Sequence, residues 1–443
     1  MAIMQILSSN KNLSFVIKKN PQSGIFLKKI KMGMMFGYFP YESDVQNQNR
    51  YVIHFKDASD KISYKVHPDE QFEYLNSSKY NDARFINDAI QECLHSAREG
   101  KGVSAEYDVP AKHLIRINLV NTEYKTIDIF RRYFQDIEIR HDEVSKDNYA
   151  ITFISEYPMS FQRIIMVVNL FGIFAQLNSP TYSYLTEDLI QKYIRIANEV
   201  DAPYFIKYLI KIRMCRSEKI FENNKADLER SERHTISMVY GDTHVARLNF
   251  IKNKLISPNG TDWKMNNSII DIGTGIDYRY LKMFGEKIKE AGLMYYAIEI
   301  DFDARMRIQA GLKNRGWEDC VVIFESLADF MVYHNEYLTK ESFDVICTEV
   351  LEHNEFEDAK KIVRTVLRKI KINNFIITLP NKSFNTFYAI DGMRHDDHKW
   401  EATVQDLHSL SALADGSGIG RHLEPVGDIV DGLPVTWAIS FFK

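Results

Sequence analysis

The stretch SIIDIGTGIDYRYL, residues 268–281, decides the fold of the second half of the chain. It begins with the apolar pattern of a strand, which ends near Asp271. A turn through Gly273 and Gly275 follows, and then a sequence typical of a helix. Glycines at such a turn let the backbone approach a ligand at the carboxyl end of a parallel strand. A Gly-x-Gly turn alone is weak evidence, because many such turns only connect a strand to a helix. The stretch predicts the first strand of a parallel sheet and a candidate ligand loop.

Apolar runs alternate with helical segments around this stretch, which is the pattern of a parallel sheet with helices on both faces. We therefore predict an α/β domain over residues 231–443 with a mostly parallel, seven-stranded sheet. The predicted strands are residues 268–272, 295–300, 320–324, 343–348 and 375–378, with a closing pair that ends at residues 437–442.

An acidic residue after the second predicted strand bears on the identity of the ligand. Glu299 stands at the tip of YYAIEID, where a carboxylate can accept hydrogen bonds from both ribose hydroxyls of an adenosine, although a surface carboxylate fits the same letters. The loop lacks the third glycine of a dinucleotide fingerprint. Asp-x-Gly-x-Gly with a downstream acid resembles the class I, Rossmann-like S-adenosylmethionine-dependent methyltransferases. The resemblance implies this cofactor, held by Asp271, Gly273, Gly275 and Glu299, with Ser326 and Leu327 beside the adenine.

A second group of polar residues follows the fourth predicted strand, in FDVICTEVLEH, residues 343–353. Helical spacing would place Glu349, Glu352 and His353 on one face, at the carboxyl edge of the sheet. Carboxylate oxygens and an imidazole nitrogen suit magnesium or manganese. A helix start that favours acidic residues explains the same letters equally well.

Two later segments, LPNKSFN at residues 379–385 and RHDDHKWE at residues 394–401, extend the pattern. In this order, EVLEH and the two segments resemble the signature of the Hen-type small-RNA methyltransferases, which modify the 2′-hydroxyl of the 3′-terminal nucleotide. The resemblance implies Mg²⁺ or Mn²⁺ as a second cofactor, with His395 as an alternative fourth ligand. The implied metal ligands are Glu349, Glu352, His353 and His398.

The implied chemistry is metal-assisted methyl transfer to a terminal ribose. A divalent cation lowers the pKa of a hydroxyl that it binds, and only a terminal nucleotide offers adjacent 2′ and 3′ hydroxyls to one ion. His353 or His398 is expected to act as the catalytic residue that assists proton removal. Arg247, in HVARLNFI, is a candidate contact for a phosphate or the cofactor carboxylate, and equally a plain surface arginine. Trp400 replaces the usual phenylalanine of the family, and Thr274 a frequent cysteine.

The first half has the texture of an α+β module without a catalytic cluster, and residues 1–230 are predicted to form it. A charged segment, residues 216–234, is typical of a solvated helix or a boundary. Short β-rich runs (FVIKK, YVIHFK, ISYKV) and turn-prone clusters (NPQSG, DASDK) fill residues 15–65. Further predicted elements are helices at 82–97, 127–134, 161–176, 185–197 and 204–214, and strands at 137–139 and 150–154.

Segments of this half also resemble the amino-terminal module of bacterial Hen-type proteins, namely MMFGYFPYE at 34–42, YNDARFINDAI at 80–90 and FRRYFQDIEI at 130–139. That resemblance implies a partner in RNA repair, either a separate RNA ligase or a polynucleotide kinase-phosphatase-ligase, which the module binds and activates. Three alternatives stay open: a stand-alone small-RNA stabiliser, an inert dimerisation or RNA-docking module, and a non-catalytic RNA-binding protein with a dead methyltransferase fold.

Composition sets outer limits on these interpretations. The 443 residues carry 56 basic and 60 acidic side chains, a net charge of −4, so any contact with an RNA 3′ end must be local. The four cysteines are widely spaced, which argues against zinc ribbons and disulfide frameworks and favours a reducing cytoplasm. The apolar run at 164–175 is too short for a bilayer, which needs about 20 such residues, and predicts a buried helix.

Overall fold

The computed structural model describes residues 2–30, 33–40, 49–57, 64–65, 74–75, 80–178, 185–256, 265–334 and 338–443. The chain forms two compact units, Met1–Cys215 and Arg216–Lys443. The charged segment 216–234, within which the boundary was predicted, contains the helix Glu218–Glu229, and this helix is part of the second unit. Glu229 accepts a hydrogen bond of 2.7 Å from the backbone N–H of Met238. None of the described helices is long and apolar enough to span a membrane.

The first unit contains an antiparallel sheet in the order β2-β3-β4-β1-β7-β9-β8, with β5 and β6 as a separate pair. Its strands are β1 (Ala2–Ser8), β2 (Ile25–Ile30), β3 (Gly33–Tyr38), β4 (Arg50–Asp57), β5 (Tyr64–Lys65), β6 (Tyr74–Leu75), β7 (His113–Asn121), β8 (Ile137–Ser145) and β9 (Asn148–Ser155). Its helices are α1 (Leu13–Val16), α2 (Arg84–Cys93), α3 (His95–Glu99), α4 (Val103–Tyr107), α5 (Tyr124–Tyr133), α6 (Phe161–Leu177), α7 (Glu187–Glu199) and α8 (Tyr204–Met214).

Helix α6 is the buried helix that the apolar run predicts, since every residue from 164 to 176 is buried. The predicted helices at 127–134, 185–197 and 204–214 also form, as do strands β4, β8 and β9. The single helix predicted at 82–97 is instead two helices, α2 and α3, which are separated at Leu94. The run FVIKK was wrongly predicted as β-rich, because Phe15 and Val16 end the short helix α1. In the cluster DASDK, residues 58–61 lie outside the described residues.

The second unit contains a sheet in the order β10-β16-β17-β15-β14-β11-β12-β13. The five strands from β15 to β13 are parallel, β17 and β16 are antiparallel, and β10 adds two residues at the edge. The strands are β10 (Ile236–Ser237), β11 (Ser268–Ile272), β12 (Tyr295–Ile298), β13 (Val321–Phe324), β14 (Phe343–Thr348), β15 (Ile372–Pro380), β16 (Gly420–Val430) and β17 (Leu433–Phe442). The helices are α9 (Glu218–Glu229), α10 (Thr243–Leu255), α11 (Arg279–Glu290), α12 (Phe302–Arg315), α13 (Leu327–Tyr333), α14 (Phe356–Lys369) and α15 (Val404–Ser411).

Helices cover both faces of this sheet, as the sequence pattern predicts. On β11, Ile270 joins a core with residues of α13, α14 and α15, whereas its neighbour Ile269 joins a core with residues of α10, α11 and α12. Alternate residues of a strand point to opposite faces, so β11 has to be apolar along its length. This arrangement leaves the carboxyl edge of the parallel strands as the place where polar side chains collect.

Candidate active site and metal centre

The loop after β11 is fixed to the end of β12 by an acidic side chain. Glu299, which is buried, accepts hydrogen bonds from the backbone N–H of Gly275 (2.7 Å) and of Asp301 (2.9 Å). Gly273 and Gly275 have φ angles of 76° and 73°, a region that favours glycine. A Cβ at Gly273 would collide with Val350, whereas a Cβ at Gly275 would meet open space. The loop therefore exposes bare backbone at Gly275.

Asp271, the acid that precedes the glycines, is buried beneath the loop. The Tyr295 hydroxyl donates a 2.5 Å hydrogen bond to its carboxyl, and burial raises the pKa of Asp271 to about 7. Thr274 donates from its hydroxyl to the backbone carbonyl of Asp271 at 3.2 Å. Asp271 thus supports the loop from below.

A cleft of about 330 Å³ lies over the loop. Its lining combines exposed backbone, two arginines, one histidine and two carboxylates, so it can hold a ligand that has both polar and charged parts. The lining residues are His244, Arg247, Leu248, Gly273, Thr274, Gly275, Ile276, Asp277, Arg279, Tyr280, Thr348 and Glu349.

The remaining predicted cofactor residues lie at neighbouring strand ends and not in this lining. Glu299 follows β12, and Ser326 and Leu327 follow β13. The Ser326 hydroxyl is occupied at the start of α13, where it bonds the side chain (2.6 Å) and backbone N–H (3.1 Å) of Asp329. Leu327 packs partly against the core.

Three of the four predicted metal ligands lie close together. Two of them follow strand β14, and the third belongs to the motif RHDDHKWE. The ligand atoms of Glu352, His353 and His398 lie within 4.8 Å of one another. Glu352 and His353 belong to a single 3-10 turn, Leu351–His353, whereas His398 arrives from the segment after β15. These atoms match the donor set that magnesium and manganese accept.

Glu352 is fully buried, and neither of its carboxylate oxygens has a hydrogen-bond partner among the described residues. Burial raises the pKa of Glu352 well above its ordinary value, and the nearby charge of Glu349 raises it further. A buried carboxylate without a partner is costly, and a bound cation would offset that cost. The unsatisfied oxygens thus fit a metal ion.

His398 is held for coordination by Glu401. Its Nδ1 lies 2.9 Å from Oε1 of Glu401, and both side chains are almost completely buried. A carboxylate that accepts from one ring nitrogen leaves the other free to bind a metal. His395 is exposed, and its ring centroid lies 5.1 Å from that of His398. The geometry therefore favours His398 over His395 as the fourth ligand.

The two later motifs build the support for His398. Burial favours the neutral acid, but hydrogen bonds from the backbone of Arg394, the amide of Asn385 and His398 together hold the pKa of Glu401 below its ordinary value. Arg394 in turn donates to Asn385 (2.7 Å) and to the backbone carbonyl of Asn381 (2.6 Å). Sequence reasoning missed Asn385, Arg394 and Glu401, although all three lie within the motifs that carried the resemblance.

Glu349, the fourth predicted ligand, lies beside the cluster and is bound to other groups. Its Oε2 forms an ion pair of 2.7 Å with Arg247, and its Oε1 accepts from the Thr378 hydroxyl at 3.2 Å. Its φ of 53° is rare outside glycine, and such strain is typical of functional positions. Arg247, considered above as a surface residue, is in fact buried.

His244 also lines the cleft. Burial and the charges of Arg247 and Arg279 lower the pKa of His244, so its ring is neutral at pH 7. Its Nδ1, 2.7 Å from Nη2 of Arg247, therefore accepts a hydrogen bond. This contact fixes the orientation of the guanidinium toward Glu349.

The parallel strand order, the Asp-x-Gly-x-Gly loop and the acid after β12 define a Rossmann-like methyltransferase fold. Residues 3–233 match the family described as the Hen1 N-terminal domain. That match spans more than half of the chain, which therefore belongs to the Hen1 family. Family and fold together support an RNA methyltransferase.

Solved structures agree on the fold. The chain superposes on a chain of the structure titled "Structure of the Pnkp1/Rnl/Hen1 RNA repair complex" with a TM-score of 0.77 and 23% identity, over 100% of both chains. A second structure, of the Pnkp1/Rnl/Hen1 complex, gives a TM-score of 0.75 at 23% identity, again over 100% of both. Among curated proteins, no significant match was found.

Proposed function

We propose that the protein transfers a methyl group from S-adenosylmethionine to the 2′-hydroxyl of the 3′-terminal nucleotide of RNA, with the help of Mg²⁺ or Mn²⁺. The observation that carries the proposal is the buried carboxylate of Glu352, which lies with His353 and His398 and has no hydrogen-bond partner among the described residues. Glu349, three residues earlier, lines the glycine-loop cleft. Bound there, a divalent ion would supply Lewis acidity at the terminal ribose hydroxyls.

The chain's own residues then have distinct tasks. The loop at Gly275 and the acid Glu299 would hold the adenosine end of the cofactor, with Asp271, Gly273, Ser326 and Leu327 as further members of the binding region. Glu349, Glu352, His353 and His398 would hold the metal. His398 has one ring nitrogen committed to Glu401, and 38% of the His353 side chain is exposed. Nδ1 of His353 also faces a carboxylate, that of Asp397 at 3.3 Å, but the Asp397 side chain is 72% exposed. A neutral imidazole has one acceptor nitrogen, so a histidine that accepts the 2′ proton does not coordinate the metal through that nitrogen in the same step. We therefore assign acceptance of the 2′ proton to His353 in a step in which it does not coordinate the ion.

The proposed partner is an RNA ligase or a polynucleotide kinase-phosphatase-ligase. Membership of the Hen1 family, through a domain that spans residues 3–233, supports this proposal, as does the likeness in fold to a chain of an RNA repair complex. Residues 1–230 would bind and activate that ligase, so that methylation of the RNA end accompanies repair.

The decisive experiment is methyl transfer from labelled S-adenosylmethionine to RNAs that end in 2′,3′-hydroxyls, a 2′-deoxyribose or a 3′-phosphate, with Mn²⁺ or with a chelator. Only the first RNA should be methylated, and only with the metal. His353→Ala should abolish the transfer, while His422→Ala, on strand β16 of the same unit, should retain it. Full activity with a chelator, or methylation of the 3′-phosphate end, would contradict the proposal.

The partner is tested separately, with purified full-length chain. Adenylylation of an RNA repair ligase should increase when the chain is added, and the two proteins should co-elute in size-exclusion chromatography. Methyl transfer without either effect would favour a stand-alone RNA-stabilising methyltransferase.

A further inference from the structure

Arg247 belongs to both parts of the site. It lines the cleft together with Gly273 and Gly275, and its guanidinium pairs with Glu349 at 2.7 Å. Only 8% of its side chain is exposed. A buried guanidinium keeps its charge and needs an anionic partner. The choice of that partner therefore affects both the cleft and the metal cluster.

On the metal side, Arg247 competes for a proposed ligand. Oε2 of Glu349 is paired with Arg247, and the group of ligand atoms within 4.8 Å contains Glu352, His353 and His398 without Glu349. A guanidinium and a divalent ion are both cations, so they repel each other and compete for one carboxylate. Full coordination by Glu349 requires that Arg247 release it or share it.

On the cleft side, Arg247 can find another anion. The methionine end of S-adenosylmethionine carries a carboxylate, and arginine binds carboxylates through two parallel hydrogen bonds. The other arginine in the lining, Arg279, is already 3.0 Å from Asp277 and is 44% exposed. His244 holds Nη2 of Arg247 from within helix α10. Of the two arginines, Arg247 is therefore the better placed to bind a carboxylate in a desolvated part of the cleft.

We infer that Arg247 couples the two binding sites: when it pairs with the cofactor carboxylate, it releases Glu349 to the metal cluster. Cofactor and metal then each strengthen the binding of the other, because a coupling free energy is reciprocal. This inference rests on the proposed function and assigns Arg247 as a positioning residue for the metal ligand Glu349.

The first test uses the unmodified chain. The Kd of Mn²⁺ is measured by isothermal titration calorimetry for the protein alone, with saturating S-adenosylhomocysteine, and with saturating 5′-methylthioadenosine, which lacks the aminocarboxylate. We expect S-adenosylhomocysteine to lower the Kd about fivefold or more, the usual range of coupling between sites, and 5′-methylthioadenosine to leave it unchanged. Equal Kd values in all three titrations, or an equal effect of both nucleosides, would overturn the inference.

The second test compares two arginines of the same cleft. Arg247→Gln should reduce the coupling factor to about one, whereas the matched variant Arg279→Gln should retain it. Coupling that persists in Arg247→Gln would overturn the inference. If unmodified protein binds neither S-adenosylhomocysteine nor Mn²⁺, the proposed function itself fails. Binding of both without coupling removes only the role given to Arg247.

Discussion

Single residues in this site are held by a partner that is close in sequence in one case and distant in the other. Glu401 contacts His398, and Arg247 on helix α10 forms an ion pair with Glu349. Where a motif contains both partners, as RHDDHKWE contains His398 and Glu401, the sequence already presents the signal. Where the partner lies on a separate helix, as Arg247 does, residue spacing contains no trace of the contact. The candidate ligands could therefore be named from the motifs, whereas the contact between Arg247 and Glu349 could not.

Removing the support of His398 should weaken metal binding without removing a ligand. We expect Glu401→Gln to lower Mn²⁺ affinity by about 10- to 100-fold, the usual cost of losing a carboxylate behind a ligating histidine. Titration calorimetry measures the effect. Glu424→Gln is the matched control, because Glu424 pairs with Lys254 away from the cluster. An unchanged affinity in Glu401→Gln would count against His398 as a ligand.

The buried carboxylate of Glu352 should make the protein less stable wherever no cation compensates it. Its pKa in the fold lies above the ordinary value of 4.5, so its stabilising contribution is lost as the pH rises beyond that value. In the presence of a chelator, the Glu352→Gln variant should therefore be more stable than the unmodified chain between pH 5 and pH 8. Mn²⁺ at one hundred times its Kd should stabilise the unmodified chain by about 2.7 kcal/mol and the variant not at all.

Thermal melting at several pH values, with Mn²⁺ or with a chelator, checks this expectation. A variant that Mn²⁺ stabilises as much as the unmodified chain would show that Glu352 does not hold the ion.

At the scale of elements, the parallel strands were the most predictable part. Strands β11 and β14 coincide with their predicted bounds, because strands covered on both faces appear as continuous apolar runs. Strand β1 was not predicted, although its buried residues alternate through Ala2, Met4 and Ile6. Helix α1 replaced a predicted strand because Asn10 and Asn12 fold the chain locally, with a 2.9 Å bond between the Asn10 side chain and the Asn12 backbone. Such local polar contacts override short apolar runs.

The two glycines of the β11 loop should respond differently to alanine. Both substitutions place a side chain at a positive φ, which costs roughly 1–2 kcal/mol for a residue other than glycine. Gly273→Ala also forces a Cβ against Val350 and should cost more, whereas Gly275→Ala points into open space and should leave the fold intact. Urea unfolding measures the difference in folding stability between the two variants. If the cofactor binds as proposed, Gly275→Ala should instead lower S-adenosylhomocysteine affinity, since the added Cβ would stand where the cofactor approaches the bare backbone.

Normal S-adenosylhomocysteine binding by Gly275→Ala would place the cofactor elsewhere. Equal loss of folding stability in both variants would contradict the described packing of Gly273.

At the scale of the whole molecule, each unit carries its own titratable groups. Asp88, on α2 of the first unit, has its pKa raised to about 6, chiefly by burial, from an ordinary 3.8. A raised folded-state pKa favours the protonated carboxyl, so stability falls as the pH rises from about 4 through about 6. The first unit therefore adds a pH dependence of its own, separate from the chemistry of the second.

Asp88→Asn should remove that dependence. We expect the variant and the unmodified chain to be equally stable near pH 3.5, and the variant to be more stable by about 1–2 kcal/mol at pH 7, since a pKa unit is worth about 1.4 kcal/mol before solvent screening. Urea unfolding across this pH range measures the difference. The exposed Asp188, in the same unit, provides the control substitution Asp188→Asn, which should show no such gain.

Trp400 gives the metal centre an optical signal. Its indole donates to the backbone carbonyl of Asn354 at 3.0 Å and packs edge-on against Phe356, so it bridges the segments that carry His353 and His398. Binding of Mg²⁺ to the proposed site should therefore change tryptophan emission, and Trp400→Phe should remove that change while methyl transfer continues. The fluorescence of this one side chain would then report directly how much of the protein holds the ion.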